Sequence, residues 1–207
     1  MVLGFRAFVL ASLLAATMLA ADAPAWAQRG TWVQPPSKLP SVQRGADKLN
    51  NLDFLFDALK AAPDDSSAKA VEERIWALWL ASGSDTANLL MTRVTTAVEA
   101  KDLHLALKLL DALIDLRPDY VEAWNRRATI YYMKNEYGRA LADIRQVLAR
   151  EPRHFGAMSG LGLIMQEIGD DKRALDVYRR ALAVHPHLQR IPDLVKTLSE
   201  KIEGRNI

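Results

Sequence analysis

Apolar side chains recur three and four positions apart along most of the chain beyond residue 48, the spacing of one face of an α-helix. Leu52, Leu55, Phe56 and Leu59 share such a face, and the run ends before Pro63. Asp64, Asp65 and Ser66 follow with short side-chain oxygens suited to the free N–H groups of a helix start. A second helix is predicted to run to about Ala81, with Ile75, Leu78 and Trp79 turned to a core beside Trp76. Ser82-Gly83-Ser84-Asp85 interrupts it, and Asp85 or Thr86 can cap the next helix. Near the far end Pro192 suits a first helical turn, and Leu194, Val195, Leu198 and Ile202 line one face.

From Ala87 onward the pattern repeats. Pro118, Pro152 and Pro186 are 34 residues apart, and so are Ala106, Ala140 and Ala174. Leu110, Ile144 and Tyr178 keep the interval, as do Leu113, Val147 and Ala181, and an acidic side chain recurs at Asp102, Glu136 and Asp170. Two helices of about a dozen residues and two short turns fill such a period. The prolines stand just past each second helix, where they block its continuation. Ala128 and Gly162, placed to face Ala140 and Ala174, let paired helices approach closely. A lone hairpin cannot bury its apolar faces, so the pattern predicts a stack with a shared core.

These units resemble the tetratricopeptide repeat (TPR). Residues 121–154 carry Trp124, Ala128, Tyr131, Ala140, Ile144, Val147 and Pro152 at the positions of that family's pattern. Residues 155–188 carry Leu161-Gly162, Ala174, Tyr178, Ala181 and Pro186. Residues 87–120 keep Ala106, Leu110 and Pro118 but have Leu90 and Val94 where the pattern has Trp and Gly. The resemblance covers 102 of the 207 residues. It implies an all-α, right-handed solenoid of stacked hairpins. A divergent, cap-like pair over 49–86 would head it, and a capping helix and tail over 189–207 would close it.

The resemblance also implies that first helices line a concave groove taking peptides or helices of other proteins. Groove-facing positions are then Glu122, Asn125, Thr129, Tyr132 and Met133, with Arg126 adjoining. The turn beyond adds Arg153 and His154, and the next first helix adds Ser159, Leu163 and Gln166. The family's carboxylate-clamping grooves use several Lys and Asn residues. Only Asn125 and Arg126 match them, so a chain-terminal carboxylate is not implied. Arg93 and Arg127 stand where the pattern has a buried Leu. A guanidinium there needs a carboxylate, Asp143 or Glu151 for Arg127, or else faces a ligand; the sequence leaves both open.

The first residues differ in kind. Met1 to Arg6 form a short basic start, Ala7 to Ala21 an apolar run, and Ala25-Trp26-Ala27 a small-residue site before Gln28. That order is expected of a secretory signal peptide over 1–27, cleaved before Gln28. The apolar run falls short of the about 20 residues that span a bilayer, so no stable membrane span is expected after cleavage. Pro35, Pro36 and Pro40 mark residues 28–48 as a linker.

Composition narrows the chemistry. Lys plus Arg number 27 and Asp plus Glu 25, a net +2 that gives no concentrated basic footprint for nucleic acid. With no cysteine, disulfides and thiolate chemistry are excluded. His104, His154, His185 and His187 form no helical metal-ligand motif, and two histidines around Pro186 leave a zinc half-coordinated. Gly160-Leu161-Gly162 lacks the full glycine fingerprint of a phosphate loop, and close helix packing accounts for it. Met133, Met158 and Met165 fit a repeat surface or core. No nucleophile, acid–base pair, metal or cofactor site is indicated. The expected role is a non-catalytic, periplasmic or secreted adaptor or assembly factor. Self-association as a homo-oligomeric envelope subunit is the alternative, and an envelope-polymer hydrolase stands further off.

Overall fold

The computed structural model describes Trp32 and residues 48–204. The expected signal peptide, and the linker apart from Trp32 and its last residue, lie outside the described residues. Within them the chain is all helix and turn. The helices are α1 (Lys48–Lys60), α2 (Asp65–Leu80), α3 (Asp85–Glu99), α4 (Leu103–Leu116), α5 (Val121–Met133), α6 (Tyr137–Arg150), α7 (Phe155–Glu167), α8 (Asp171–Val184) and α9 (Ile191–Glu203).

The pairs α3–α4, α5–α6 and α7–α8 pack as successive hairpins, each leaning on the next. Every apolar column of the 34-residue period is buried. Ala106, Ala140 and Ala174, then Leu110, Ile144 and Tyr178, then Leu113, Val147 and Ala181 all lie inside. The acidic column has a separate cause. Asp102 and Asp170 are N-caps of α4 and α8, accepting from the N–H of Leu105 and of Arg173. Glu136 stands at the N-cap of α6, where its side chain caps nothing and instead pairs with Lys134 and Arg139. One residue earlier each hairpin turn needs a left-handed backbone: Lys101 at φ 61, Asn135 at φ 59 and Gly169 at φ 82. At Gly162 the absent side chain makes room for the Tyr178 ring, which a Cβ would overlap, rather than for Ala174.

α9 buries Ile191 and Leu198 in the core that covers α8, and it carries a proline in its first turn as expected. Arg179 of α8 reaches Ser199 and Glu203 of α9, and Lys201 pairs with Asp171.

The α1–α2 hairpin is placed differently from a cap at the head of the stack. Its apolar face turns to the last repeat. Phe56, Leu59, Trp76 and Trp79 share one core with Phe155, Met158, Leu175, Tyr178, Leu188 and Ile191. Polar contacts fix the same seat: Arg153 meets Asp53 at 2.7 Å, His185 meets Glu72 at 3.2 Å, and His187 meets Asp65 at 2.6 Å. The Tyr120 hydroxyl also donates to the Leu80 carbonyl. The reason lies in the side chains. Trp76 and Trp79 find aromatic neighbours and the histidines find carboxylates, which the Leu/Thr surface of α3 does not offer.

Candidate protein-binding groove

The groove positions inferred from sequence fall on α5, on α7 and on the turn between α6 and α7. Glu122, Asn125, Thr129, Tyr132, His154, Ser159 and Leu163 are buried, and Arg126, Met133, Arg153 and Gln166 are half-buried. Much of this burial comes from the chain itself. Trp79 stacks on the His154 ring at 4.1 Å and 11°, while Trp76 meets His154 and Phe155 edge-on at 5.5 Å and 5.3 Å. Arg153 lies over the Phe56 ring at 4.2 Å.

Under those rings a polar cluster is built by repeat geometry. The N–H of Ala157 donates to Nδ1 of His154, the N-cap of α7. Nε2 must then carry the proton, and it donates to Oε1 of Glu122 at 2.7 Å. His154 is thus a neutral imidazole pinned at both nitrogens between two repeats. The Asn125 amide donates to both Glu122 oxygens at 3.2 and 3.4 Å, and the Arg126 guanidinium stands 3.9 Å away. A fully buried carboxylate is tolerated because these donors replace water. The Asn125 carbonyl oxygen of the side chain remains without a partner.

The other expected groove residues have different employments. Thr129 donates to the Asn125 carbonyl and Ser159 to the Phe155 carbonyl, each on its own helix. Gln166 accepts from the Tyr178 hydroxyl at 2.6 Å, and burial holds that phenol above its ordinary range. Arg127 is an internal ion pair: its Nε and Nη2 bond the two oxygens of Asp143 at 2.8 Å, and Nη1 bonds Asp111 at 2.7 Å. Hydrogen bonding to Asp143 keeps this guanidinium more firmly protonated than usual. Its guanidinium carbon lies over the Trp124 ring, 5.0 Å from the centroid. Arg93 is exposed.

Sequence reasoning missed Trp32. Alone in the proline-bearing stretch, it carries no periodic signal, yet it is buried against Tyr132 at a ring separation of 5.7 Å. Gly160 was explained above by helix packing, but a Cβ there would overlap the Trp32 indole. Among the described residues no three His, Asp or Glu side chains gather as a metal site, and no helix is long and apolar enough to cross a membrane.

Comparison with known proteins agrees with this architecture. The tetratricopeptide repeat model matches residues 91–144 and 134–187. A TPR repeat-containing protein of Rhizobium etli is 41% identical over 153 residues, covering 74% of this chain and 75% of that protein. The solved TPR domain of Arabidopsis OM64 superposes with a TM-score of 0.54 at 18% identity, over 57% of this chain and 98% of its own. The first TPR of Spaghetti, solved with an HSP90 peptide, gives 0.54 at 17% identity, over 56% and 93%. With its buried 34-residue columns, its stacked hairpins and this relative, the chain belongs to the tetratricopeptide repeat family, an interaction scaffold.

Proposed function

We propose that the chain is an exported, periplasmic adaptor or assembly factor that catalyses nothing and binds a helix or peptide segment of another protein across α5 and α7. One observation carries this reading. The face already accommodates a helical hairpin, through Trp76 and Trp79 on His154 and Phe155. A surface that seats aromatic helix residues over a buried polar cluster suits a protein segment of like chemistry. The peptide seen on the Spaghetti repeat domain supports the same use of the fold, and the signal-like order of residues 1–27 supports export.

The test is photo-crosslinking in the native compartment. A reactive side chain at Gln166, on the half-buried rim, should capture a partner, whereas one at the exposed Ala112 should not. Equal capture from both positions would reject the groove. Self-association is the second reading, favoured by Leu89 and Leu105. They lie 56% and 44% exposed on the hairpin that begins the stack, where arrays need a polar end. Light scattering separates the two: a concentration-independent monomer fits the adaptor, and an oligomer fits the subunit.

A further inference from the structure

The hairpins stack through a repeated junction, whose chemistry is plain where α4 meets α5. Arg127 of α5 reaches Asp111 of α4 at 2.7 Å, and the Trp124 indole N–H donates to the Pro118 carbonyl just past α4. Ala123 and Ala157, at the same place on α5 and α7, are 0% exposed, each within the core of the preceding repeat. One period before Ala123 stands Leu89, on the first hairpin of the stack, and it is 56% exposed. The α1–α2 hairpin precedes α3 in the chain but sits on the last repeat, so this junction face stays open. Leu105 and Leu116 of α4 are 44% and 48% exposed, where the next repeat carries Arg139 and Arg150. Those two arginines lie over the Tyr131 and Trp124 rings of α5. An array that ends in water needs a polar surface at its head, and these positions hold leucine instead.

Arg93 identifies the missing component. Its counterpart Arg127 holds two carboxylates, Asp143 on its own hairpin and Asp111 on the helix in front. At the head Leu109 stands in place of Asp143, and Arg93 is exposed without an ion pair among the described residues. We propose that the outer face of α3–α4, with Leu89, Leu90, Arg93, Leu105 and Leu116, receives an amphipathic helix of another protein that carries a carboxylate among apolar side chains, in the place that α4 takes on the α5–α6 hairpin. The apolar positions supply the burial, and the guanidinium fixes the register by pairing with the incoming carboxylate. A second copy presenting the same face would bring another guanidinium rather than a carboxylate, which favours an unlike chain. The inference goes beyond the groove of α5 and α7, and it gives the exposed leucines a different occupant from self-association.

The probe is a fluorescein-labelled synthetic peptide of residues 102–117, which is α4 with its Asp111 carboxylate, added to the whole chain and followed by anisotropy. The wild-type chain should bind it. Arg93→Glu should weaken that binding at least about tenfold, because like charges then face each other. A peptide carrying Asp111→Lys should show the reverse preference and bind the Arg93→Glu chain about as tightly as the original pair. Arg93 is exposed, so the melting curve of Arg93→Glu should match that of the wild type and confirm that it is folded. No binding to the wild type, indifference to Arg93→Glu, or failure of the swapped pair would each overturn the inference. Light scattering tests the other occupant: an oligomer of the wild type that dissociates in Arg93→Glu makes a second copy the resident of this face and overturns it too. Neither change alters α5 or α7, so capture from Gln166 tests the groove separately.

Discussion

Trp79→Ala should release the α1–α2 hairpin from the array while leaving the repeats folded. The Trp79 ring stacks on His154, meets Trp76 edge-on at 5.1 Å, and touches Phe56 and Phe155 at 6.0 and 5.1 Å. Replacing a buried tryptophan by alanine costs about 3–5 kcal/mol. The polar contacts across the same seam cannot compensate. The Arg153–Asp53 pair is 35% and 66% exposed, so it contributes about 0–1 kcal/mol. Because about 1.4 kcal/mol is a factor of ten, the ratio of docked to undocked hairpin should fall by roughly two to four powers of ten.

The repeats keep two cores in which the hairpin has no part, around Leu110 and Leu113 and around Ile144 and Val147. Solenoid units hold chiefly to their neighbours, so a local opening is expected ahead of global unfolding. Native-state hydrogen exchange reads this directly. Peptides from residues 52–80 should lose protection in the variant, while those from 103–116 and 137–150 keep it. If all of them lose protection together, hairpin and array are one cooperative unit and the reasoning fails. If none changes, the aromatic seam contributes far less than its contacts imply.

Other consequences follow from single contacts. Arg127→Leu leaves the Asp143 carboxylate buried without its two donors and should cost about 2–3 kcal/mol in urea denaturation, with Arg127→Leu/Asp143→Leu recovering most of it. Gly162→Ala drives a methyl into the Tyr178 ring and strains its bond to Gln166; overpacking of about 1–3 kcal/mol should outweigh the gain in helix propensity, and an unchanged midpoint would show that the ring gives way freely. Lys101→Gly relieves a left-handed backbone that Gly169 already occupies two periods on, so a stabilisation of about 1 kcal/mol is expected, and a loss would mean the lysine makes an unseen contact. His187 bonds Asp65 and the Ala62 carbonyl, which raise its pKa above the ordinary 6.5, with Asp64, Glu72 and His185 also near that seam. Its contribution is therefore complete below pH 6.5 and is lost as pH rises through the raised value. Hairpin protection should fall between slightly acid and mildly alkaline buffer, and His187→Gln should flatten that change.

The repeats were legible because each column has one physical job in every unit. A position that meets the same neighbour every 34 residues admits only small or only apolar side chains, as Ala106, Ala140 and Ala174 do. The acidic column reads the same way for a different reason, since a hairpin turn needs a cap. The site was less legible because its contacts are made once. Arg153 and Asp53 are 100 positions apart in sequence, and His187 and Asp65 are 122 apart, with no second copy to betray them. Family geometry put Glu122, Asn125 and His154 on one face, and they are together. It could not tell that the face is covered from within, because the covering hairpin breaks the period.

Two local departures did carry that information. Trp76 and Trp79 bring two indoles to a hairpin whose neighbours in sequence have no aromatic face to match, and His154 and Phe155 supply one at the last repeat. Gly160 is the other departure. Gly162 fills the family's small position and needs no further reason, whereas the glycine two residues earlier answers to no column of the period. A helix that gives up a side chain off its packing seam is making room for something the repeat itself does not provide, and here that is the Trp32 ring.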